Sequence, residues 1–248
     1  MAGHSKFANI QHRKGAQDKK RSMQFTKLAR EIQAAVKLGG ADPNSNARLY
    51  RAIAAARAES MPKDNIQRAV DRGAGGGQED YKEVRYEGFG PGGVGVIVEC
   101  LTDNLNRTAG DVRAAFAKNG GNLGTSNSVT TGFSHVGEVR YPLAAASEDA
   151  MMEAALDAGA DDVAVDGEDH LVTCERNALI EVSRALTKKF GDPASAKFVW
   201  RPLNEVTVSG DTAQTLIKLI GILEDLDDVQ TVYSNFDMSE EEMAKLAV

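Results

Sequence analysis

Lysine and arginine crowd the first 72 residues, where fifteen of them stand against six aspartates and glutamates. The net charge of that segment is +9, whereas residues 73–248 contain fourteen basic and thirty acidic residues and carry −16. Ammonium and guanidinium groups at this density bind phosphates, and a strongly acidic segment repels them. The asymmetry therefore predicts a basic module that binds nucleic acid, attached to acidic domains. A basic helical surface that is merely solvated is the alternative.

These basic residues divide into two groups, and we expect both groups to contact phosphates. An N-terminal arm contributes His4, Lys6, His12, Arg13, Lys14, Lys19, Lys20 and Arg21. A firmer face contributes Lys27, Arg30, Arg68 and Arg72, with Asn65 beside them. Phosphate contacts release counterions, so the affinity for nucleic acid should fall steeply with salt and show modest sequence preference.

A glycine motif resembles a nucleotide-binding loop but has the wrong context. Gly88, Gly90 and Gly93 satisfy the spacing G-x-G-x-x-G. The motif precedes a predicted strand, whereas a dinucleotide fingerprint follows a strand and opens a helix. We therefore predict a tight turn that enters the strand, with a phosphate-binding nest as the alternative. The segment GGNLG, residues 120–124, is predicted to end a helix at the same edge of the sheet.

Catalytic and metal-binding patterns are absent from the sequence. None of the four histidines has a serine, a cysteine or a carboxylate pair at a motif spacing. Cys100 and Cys174 belong to no Cys/His cluster, and we predict two buried thiols. We therefore expect no enzyme, no cofactor and no metal site.

The polar segment TDNLNRT, residues 102–108, joins a predicted strand to a predicted helix. Asn106 or Thr108 is expected to cap that helix, and Asp103 and Asn104 to form the turn. A binding role stays open for Asp103, Asn104, Asn106 and Arg107. The alternative function for the chain, a hydrolase or ligase, requires a closed polar pocket with perturbed titratable groups around this segment.

Three helices are predicted to position the basic residues. Apolar residues from Asp18 to Leu38 recur at i, i+3, i+4 and i+7, as in an amphipathic helix that ends at two glycines. A second helix over 47–60 follows the capping run DPNSN, and a third opens at Pro62 and ends at Gly73. Short connections combine them into a helical domain over residues 1–76, followed by a glycine-rich linker.

The remaining residues alternate between strand and helix patterns. A strand over 94–101, a helix over 111–118 and a strand near 129–133 predict one βαβ unit, and residues 205–248 predict another. Between them, residues 134–204 follow the order β-α-β-β-α-β that is typical of a ferredoxin-like domain. The predicted fold class is α+β: the N-terminal three-helix domain is followed by two ferredoxin-like α/β domains, one inserted into the other. The outer domain comprises residues 77–133 plus 205–248, and residues 134–204 form the inserted domain.

Composition limits the class of protein and its location. Hydrophobic residues make up 42% of the chain and charged residues 26%, as in globular proteins. No apolar run approaches the roughly 18 residues that span a bilayer. The first 21 residues are charged throughout and lack the apolar core of a secretory signal. We therefore expect a cytoplasmic protein with no membrane partner.

Five segments resemble the YebC-type family: residues 1–21, 61–73, 86–108, 120–124 and 223–237. The chain is similar to bacterial transcriptional regulators of that family and to the mitochondrial translational activator of cytochrome c oxidase. The resemblance implies a helical N-terminal domain, two α/β domains, a cytoplasmic location in bacteria and DNA-binding transcriptional regulation. Some members instead resemble ribosome-associated translation factors. Phe7 replaces the usual tryptophan, and NSVTTGF at residues 127–133 departs from the usual GSVSYMF.

These observations together predict a cytoplasmic DNA-binding transcriptional regulator that acts through its basic N-terminal helical domain. A translation factor that binds the ribosome or its rRNA is the alternative, because DNA and RNA present the same phosphates. The acidic domains are expected to serve a protein partner or self-association. They are not expected to stack bases on their sheets, because the strand GVGVIVEC contains no aromatic residue.

Overall fold

The structure is a computed structural model that describes residues 17–75 and 80–246, with side chains in 21–75 and 80–245. Three helices come first: α1 (Gln17–Gly39), α2 (Ala47–Ala58) and α3 (Lys63–Ala74). Their bounds lie within two residues of the predicted ones. None of the helices in the described residues combines the length and the apolar character that crossing a bilayer requires.

The three helices pack around one small apolar core, which is built from Ile32, Ala35, Val36, Leu49, Ala52, Ala56, Met61, Ile66 and Ala69. Alanine on α2 and glycine on α3 let the helix axes approach closely. A Cβ atom added to Gly73 would lie 2.8 Å from Cβ of Val36, so a larger residue there would push α3 away from α1. This core fixes the faces on which the basic side chains stand.

Asn46 closes the turn between α1 and α2. Its buried Oδ1 accepts a hydrogen bond from the N–H of Leu49, 3.1 Å away, and so caps the N-terminus of α2. Its Nδ2 donates to the carbonyl oxygens of Ala35 and Gly40, at 2.7 and 2.8 Å, near the end of α1. One side chain therefore satisfies backbone groups of two helices.

The rest of the described chain forms an outer α/β domain interrupted by an inserted one. Residues 130–204 form one compact unit, and the described residues before and after them form the other. The outer domain begins with β1 (Lys82–Phe89), β2 (Gly95–Thr102), α4 (Leu105–Lys118) and β3 (Asn122–Leu123). The inserted unit contains β4 (Phe133–Pro142), α5 (Glu148–Asp157), β5 (Asp162–Asp166), β6 (Asp169–Glu175), α6 (Leu179–Phe190) and β7 (Ser195–Pro202). The outer domain resumes with β8 (Val206–Thr207), α7 (Gly210–Glu224), β9 (Val229–Ser234), β10 (Phe236–Asp237) and α8 (Glu240–Leu246).

The inserted unit has the predicted β-α-β-β-α-β order. Its four strands lie in the order β5-β6-β4-β7, and every neighbouring pair is antiparallel. Helices α5 and α6 bury Met151, Val182 and Leu186 in the core of this unit. The predicted fold class, α+β with N-terminal helices followed by two α/β domains, is confirmed.

The outer domain reaches a four-stranded antiparallel sheet by a different route from the predicted pair of βαβ units. Its order is β3-β1-β2-β9, with β1 and β2 joined as a hairpin. Strand β1 was not predicted, because its sequence KEVRYEGF mixes charged residues with glycine. Gly90 to Gly93 form the hairpin turn, with Gly92 and Gly93 at φ of 79° and 76°, as the turn interpretation of the glycine motif requires.

The strand predicted near 129–133 is wrong. Residues 130–132 form a 3₁₀ turn, and Phe133 already begins the inserted unit. The edge next to β1 is occupied instead by β3. The buried carboxylate of Glu87 accepts hydrogen bonds from the N–H groups of Asn127 and Val129, at 3.0 and 2.9 Å, and so holds this departing segment as a loop.

The predicted end of α4 is confirmed. Gly120 has φ of 72°, and Gly121 lies so close to the glycine turn that an added Cβ would stand 2.7 Å from the carbonyl oxygen of Phe89. GGNLG and GFGPGG therefore meet at one end of the sheet.

Substitution of Asn46 by alanine should destabilise the helical domain by about 2 kcal/mol or more, because it removes an N-cap together with two hydrogen bonds to carbonyl oxygens near the end of α1. Urea unfolding followed by circular dichroism measures the change. Asn44→Ala, at an exposed position two residues away, is the matched control and should change the unfolding free energy by less than about 0.5 kcal/mol. Equal effects of the two substitutions would contradict this role of Asn46.

Candidate nucleic-acid interface

Arg68 and Arg72 lie one turn apart on α3, and both are exposed. Ile66 and Ala69 point inward and anchor this helix to the core. The Nε group of Arg68 donates to the carbonyl oxygen of Asp64 at 3.2 Å, and its Nη2 donates to Oδ1 of Asn65. The structure thus brings Asn65 and Arg68 together, with Arg72 on the next turn.

Other basic side chains of the helical domain also face solvent. Within the described residues, an exposed arginine or lysine without an ion pair stands at Arg21, Arg51, Arg57, Lys63, Arg68 and Arg72. The guanidinium carbon of Arg21 lies 5.5 Å from the ring centre of Phe25, which supports the side chain while its charge stays available. Arg51, Arg57 and Lys63 were not among the predicted site residues, because neither periodicity nor spacing distinguished them.

Lys27 and Arg30 contact oxygens of the outer domain. Nζ of Lys27 donates to the carbonyl oxygen of Glu224 at 2.6 Å. Nη1 of Arg30 donates to Oδ1 of Asp228 at 2.9 Å and also to the carbonyl oxygen of Asp227. Burial lowers the pKa of Lys27, and the neighbouring carboxylates oppose that shift. Two predicted phosphate ligands therefore lie at the junction between the helical and outer domains.

The remaining predicted residues belong to the N-terminal arm. His4, Lys6, His12, Arg13 and Lys14 lie outside the described residues. Lys19 and Lys20 lie on α1, outside the range in which side chains are described.

Arg48 provides a further contact at the same junction. Its Nε lies 2.7 Å from Oε1 of Glu31 on α1, and its Nη2 lies 2.5 Å from Oε1 of Glu83 on β1. The hydrogen bond to Glu31 contributes most to raising the pKa of Arg48. Lys27, Arg30 and Arg48 therefore all join the helical domain to the outer domain.

The segment TDNLNRT builds a polar cluster around Asp228. Asn104, and neither Asn106 nor Thr108, caps α4: its Oδ1 accepts from the N–H of Arg107 at 3.1 Å. It takes this role because Thr102 accepts a hydrogen bond from its backbone N–H at 2.9 Å and fixes the turn one residue before the helix.

Asp228 accepts hydrogen bonds from several partners at once. Nη2 of Arg107 contacts Asp228 Oδ2 at 2.8 Å and Asp103 Oδ1 at 2.7 Å. The hydroxyl group of Thr108 contacts Asp228 Oδ2 at 2.8 Å. Burial by itself raises the pKa of Asp228, but the hydrogen bonds from Arg107 and Thr108 and the charge of Arg30 outweigh it and lower that pKa.

A cleft of about 590 Å³ opens beside this cluster. The lining of this cleft is polar and includes Asp103, Arg107 and Asp228. Its central groups are nonetheless held in their charged forms, because the pKa of Asp228 is lowered and that of Arg107 is raised by their mutual hydrogen bonds. Neither group is set to exchange a proton near neutral pH. The geometry is that of an ion-pair network.

An aromatic cluster in the inserted unit was missed from the sequence. The rings of His135 and Trp200 stack with centres 4.2 Å apart, and the guanidinium carbon of Arg176 lies 5.3 Å from the ring centre of Phe198. Cross-strand register brings His135 opposite Trp200, although 65 positions separate them in the chain. The alternation of apolar and polar residues in AKFVWRP predicts a strand that contains Phe198 and Trp200, but it does not indicate which residues their rings contact.

Both cysteines lie in the described part of the chain. Cys100 and Cys174 are buried free thiols, as predicted, and burial raises the pKa of Cys100 to about 12. Among the described residues, no group of three or more histidine, cysteine, aspartate or glutamate side chains could hold a metal ion.

Comparison with known proteins gives concordant matches along the chain. Residues 5–76 match the model of the TACO1/YebC protein N-terminal domain, and residues 81–236 match that of the TACO1/YebC second and third domain. The chain is 57% identical over 252 residues to the protein of Maricaulis maris (strain MCS10) named "Probable transcriptional regulatory protein Mmar10_2433", covering 99% of this chain and 100% of that relative. It also resembles the crystal structure of a conserved hypothetical protein, Aq1575, from Aquifex aeolicus. The TM-score is 0.80 at 43% identity, over 89% of this chain and 91% of that one.

The ion pairs of Asp228 should make stability depend on pH in a defined window. A carboxylate whose folded pKa lies below its unfolded value of about 3.9 stabilises the fold above that pH, and the contribution is lost as pH falls through the folded pKa. Asp228→Asn should therefore cost about 1–3 kcal/mol near neutral pH. Urea unfolding of both proteins should show this difference shrinking below pH of about 4. A difference that stays constant at lower pH would contradict the assignment.

Proposed function

The chain belongs to the TACO1/YebC family, and on that premise we propose that it regulates gene expression in the cytoplasm by binding nucleic acid. Its 57% identical relative is named "Probable transcriptional regulatory protein Mmar10_2433", which supports the choice of transcription and DNA. The binding surface in this proposal is the solvent-facing side of the helical domain, centred on Asn65, Arg68 and Arg72. The N-terminal arm is proposed to add further phosphate contacts.

The observation that carries the proposal is the unpaired positive charge on the helical domain. Arg21, Arg51, Arg57, Lys63, Arg68 and Arg72 are exposed, and within the described residues no carboxylate neutralises them. Guanidinium groups match phosphate oxygens with paired N–H donors, so such a surface attracts the nucleic-acid backbone. Sequence specificity requires additional contacts with base edges. Asn65 lies beside Arg68, and asparagine is a residue type that can form hydrogen bonds with base edges.

The outer and inserted domains contribute differently in this proposal. Residues 73–248 carry a net charge of −16, which repels phosphate at long range and keeps nucleic acid on the helical domain. We assign these domains to a protein partner or to self-association. The proposal assigns no reaction to the chain, because the hydrogen bonds between Asp228 and Arg107 favour the charged forms of both groups.

Charge reversal at Arg68 and Arg72 together should abolish retention of a duplex at moderate salt, because it turns two attractive phosphate contacts into repulsive ones. Fluorescence anisotropy with a labelled DNA duplex measures the loss. Arg113→Glu with Lys118→Glu reverses the same number of exposed charges on α4 and should leave binding nearly unchanged. Undiminished affinity in the Arg68/Arg72 variant would overturn the proposed surface.

The kind of nucleic acid is tested by comparing two partners at matched salt. A regulator of transcription should be retained on promoter DNA in a larger fraction than the fraction that co-sediments with ribosomes. The reverse order would assign the same surface to rRNA and translation, because phosphate contacts by themselves do not distinguish the two.

A further inference from the structure

The junction between the helical and outer domains is polar on the side where Lys27 and Arg30 lie. In the described part of the chain, the buried apolar residues form separate clusters on the two sides, and no residue belongs to both. The contacts that cross the junction include those of Lys27 with Glu224 and of Arg30 with Asp228. Such a junction depends on charge and is sensitive to salt.

These two cations occupy the negative end of a helix. Glu224 is the last residue of α7, and its carbonyl oxygen accepts from Nζ of Lys27. The last carbonyl groups of a helix have no partner within the helix and carry partial negative charge. Asp225, Asp227 and Asp228 follow directly and add carboxylates. This end of α7 therefore presents oxygens and negative charge to Lys27 and Arg30, as a phosphate backbone does.

We propose that the Lys27–Arg30 face of α1 is a second nucleic-acid surface, which residues 224–228 cover in this structure and which a phosphate backbone uncovers by displacing them. We call residues 224–228 the acidic cover. This inference rests on the proposed function, because it requires nucleic acid to reach the helical domain first through Arg68 and Arg72. Binding and release of the cover are then one linked equilibrium.

The contacts between the acidic cover and α1 are weak enough for a polyanion to replace them. The side chain of Arg30 is 18% exposed, so solvent and salt reach the ion pair that it makes. Ion pairs of partly exposed side chains contribute little net stability, since desolvation offsets much of their attraction. Helix α3, which bears Arg68 and Arg72, packs closely against α1 at Gly73 and Val36. A duplex held on α3 therefore raises the local phosphate concentration near α1, and this favours replacement of the acidic-cover oxygens by phosphate oxygens.

Asp228 does not lose all of its partners when the cover moves. Arg107 contacts it from α4, within the outer domain, and Thr102 and Thr108 donate to its Oδ2 at 3.2 and 2.8 Å. The carboxylate therefore stays compensated after Arg30 leaves. This lowers the cost of opening relative to that of an isolated buried pair, which would leave an uncompensated charge.

The salt dependence of binding to a short mixed-sequence DNA duplex tests the proposal. Each phosphate contact contributes about 0.9 to the slope of log affinity against log salt concentration, so Lys27→Gln with Arg30→Gln should make the slope shallower by about 1.8. Arg113→Gln with Lys118→Gln on α4 is the matched control and should leave the slope unchanged. Circular dichroism verifies that each variant keeps its helical content.

The outcomes separate this inference from the proposed function. If charge reversal at Arg68 and Arg72 abolishes binding but the slope of the Lys27/Arg30 variant equals that of the wild type, the second surface is refuted and the first remains. If the wild type does not bind the duplex, the proposed function fails and the inference fails with it.

A second measurement uses the unmodified chain and covers the case in which the variant is destabilised. The carbonyl ¹³C resonances of Glu224 and Asp227 in nuclear magnetic resonance spectra should shift when the duplex is added, since these two carbonyl groups lose their hydrogen bonds from Lys27 and Arg30. Unchanged resonances at saturating duplex would overturn the proposal. Asp228→Asn should in addition bind the duplex more tightly than the wild type, and weaker binding by this variant in its folded form would count against the cover.

Discussion

A carboxylate can be buried only where cations and hydrogen-bond donors compensate its charge. Asp228 is such a carboxylate, and its partners come from both the helical domain and the outer domain. Arg30 reaches it from the helical domain, while Arg107 and Thr108 reach it from α4 of the outer domain. Because the apolar clusters on the two sides share no residue, these polar contacts help to decide how the helical domain meets the outer one. The docking of the helical domain on the outer domain therefore decides which basic side chains remain exposed.

The basic side chains of the helical domain thus fall into two classes: those that form contacts within the chain and those that are exposed. Lys27, Arg30 and Arg48 contact oxygens of the same chain. Arg68 and Arg72 stand exposed on α3. A net charge of +9 over the first 72 residues does not distinguish these uses, although only the exposed class is available to a polyanion without a structural change. The basic surface is therefore smaller than the sequence suggested, and part of the charge has an internal role.

The polar cleft beside Asp228 illustrates why clustered ionisable groups do not by themselves make an active site. Asp103 and Asp228 both lie within hydrogen-bond distance of Arg107, and the hydrogen bonds between Arg107 and Asp228 favour the charged forms of those two groups. An acid or base in catalysis needs a pKa near the working pH. In this network the hydrogen bonds lower the pKa of Asp228 and raise the pKa of Arg107, so both pKa values move away from neutrality.

Local sequence patterns were sufficient to predict the three N-terminal helices, the β-α-β-β-α-β order of the inserted unit and the separation of charge, because periodicity, capping residues and composition are local properties. Asn46 at a helix start and the glycines of the hairpin turn belong to this class. Long-range packing set the pairing of β1 with β3, the loop at Asn127, the stacking of His135 on Trp200 and the burial of Arg30 against Asp228. Each of these joins residues far apart in the chain, and Arg30 and Asp228 are 198 positions apart. Their contact depends on how separate cores dock, which is a balance of desolvation and Coulomb energy that no local pattern records.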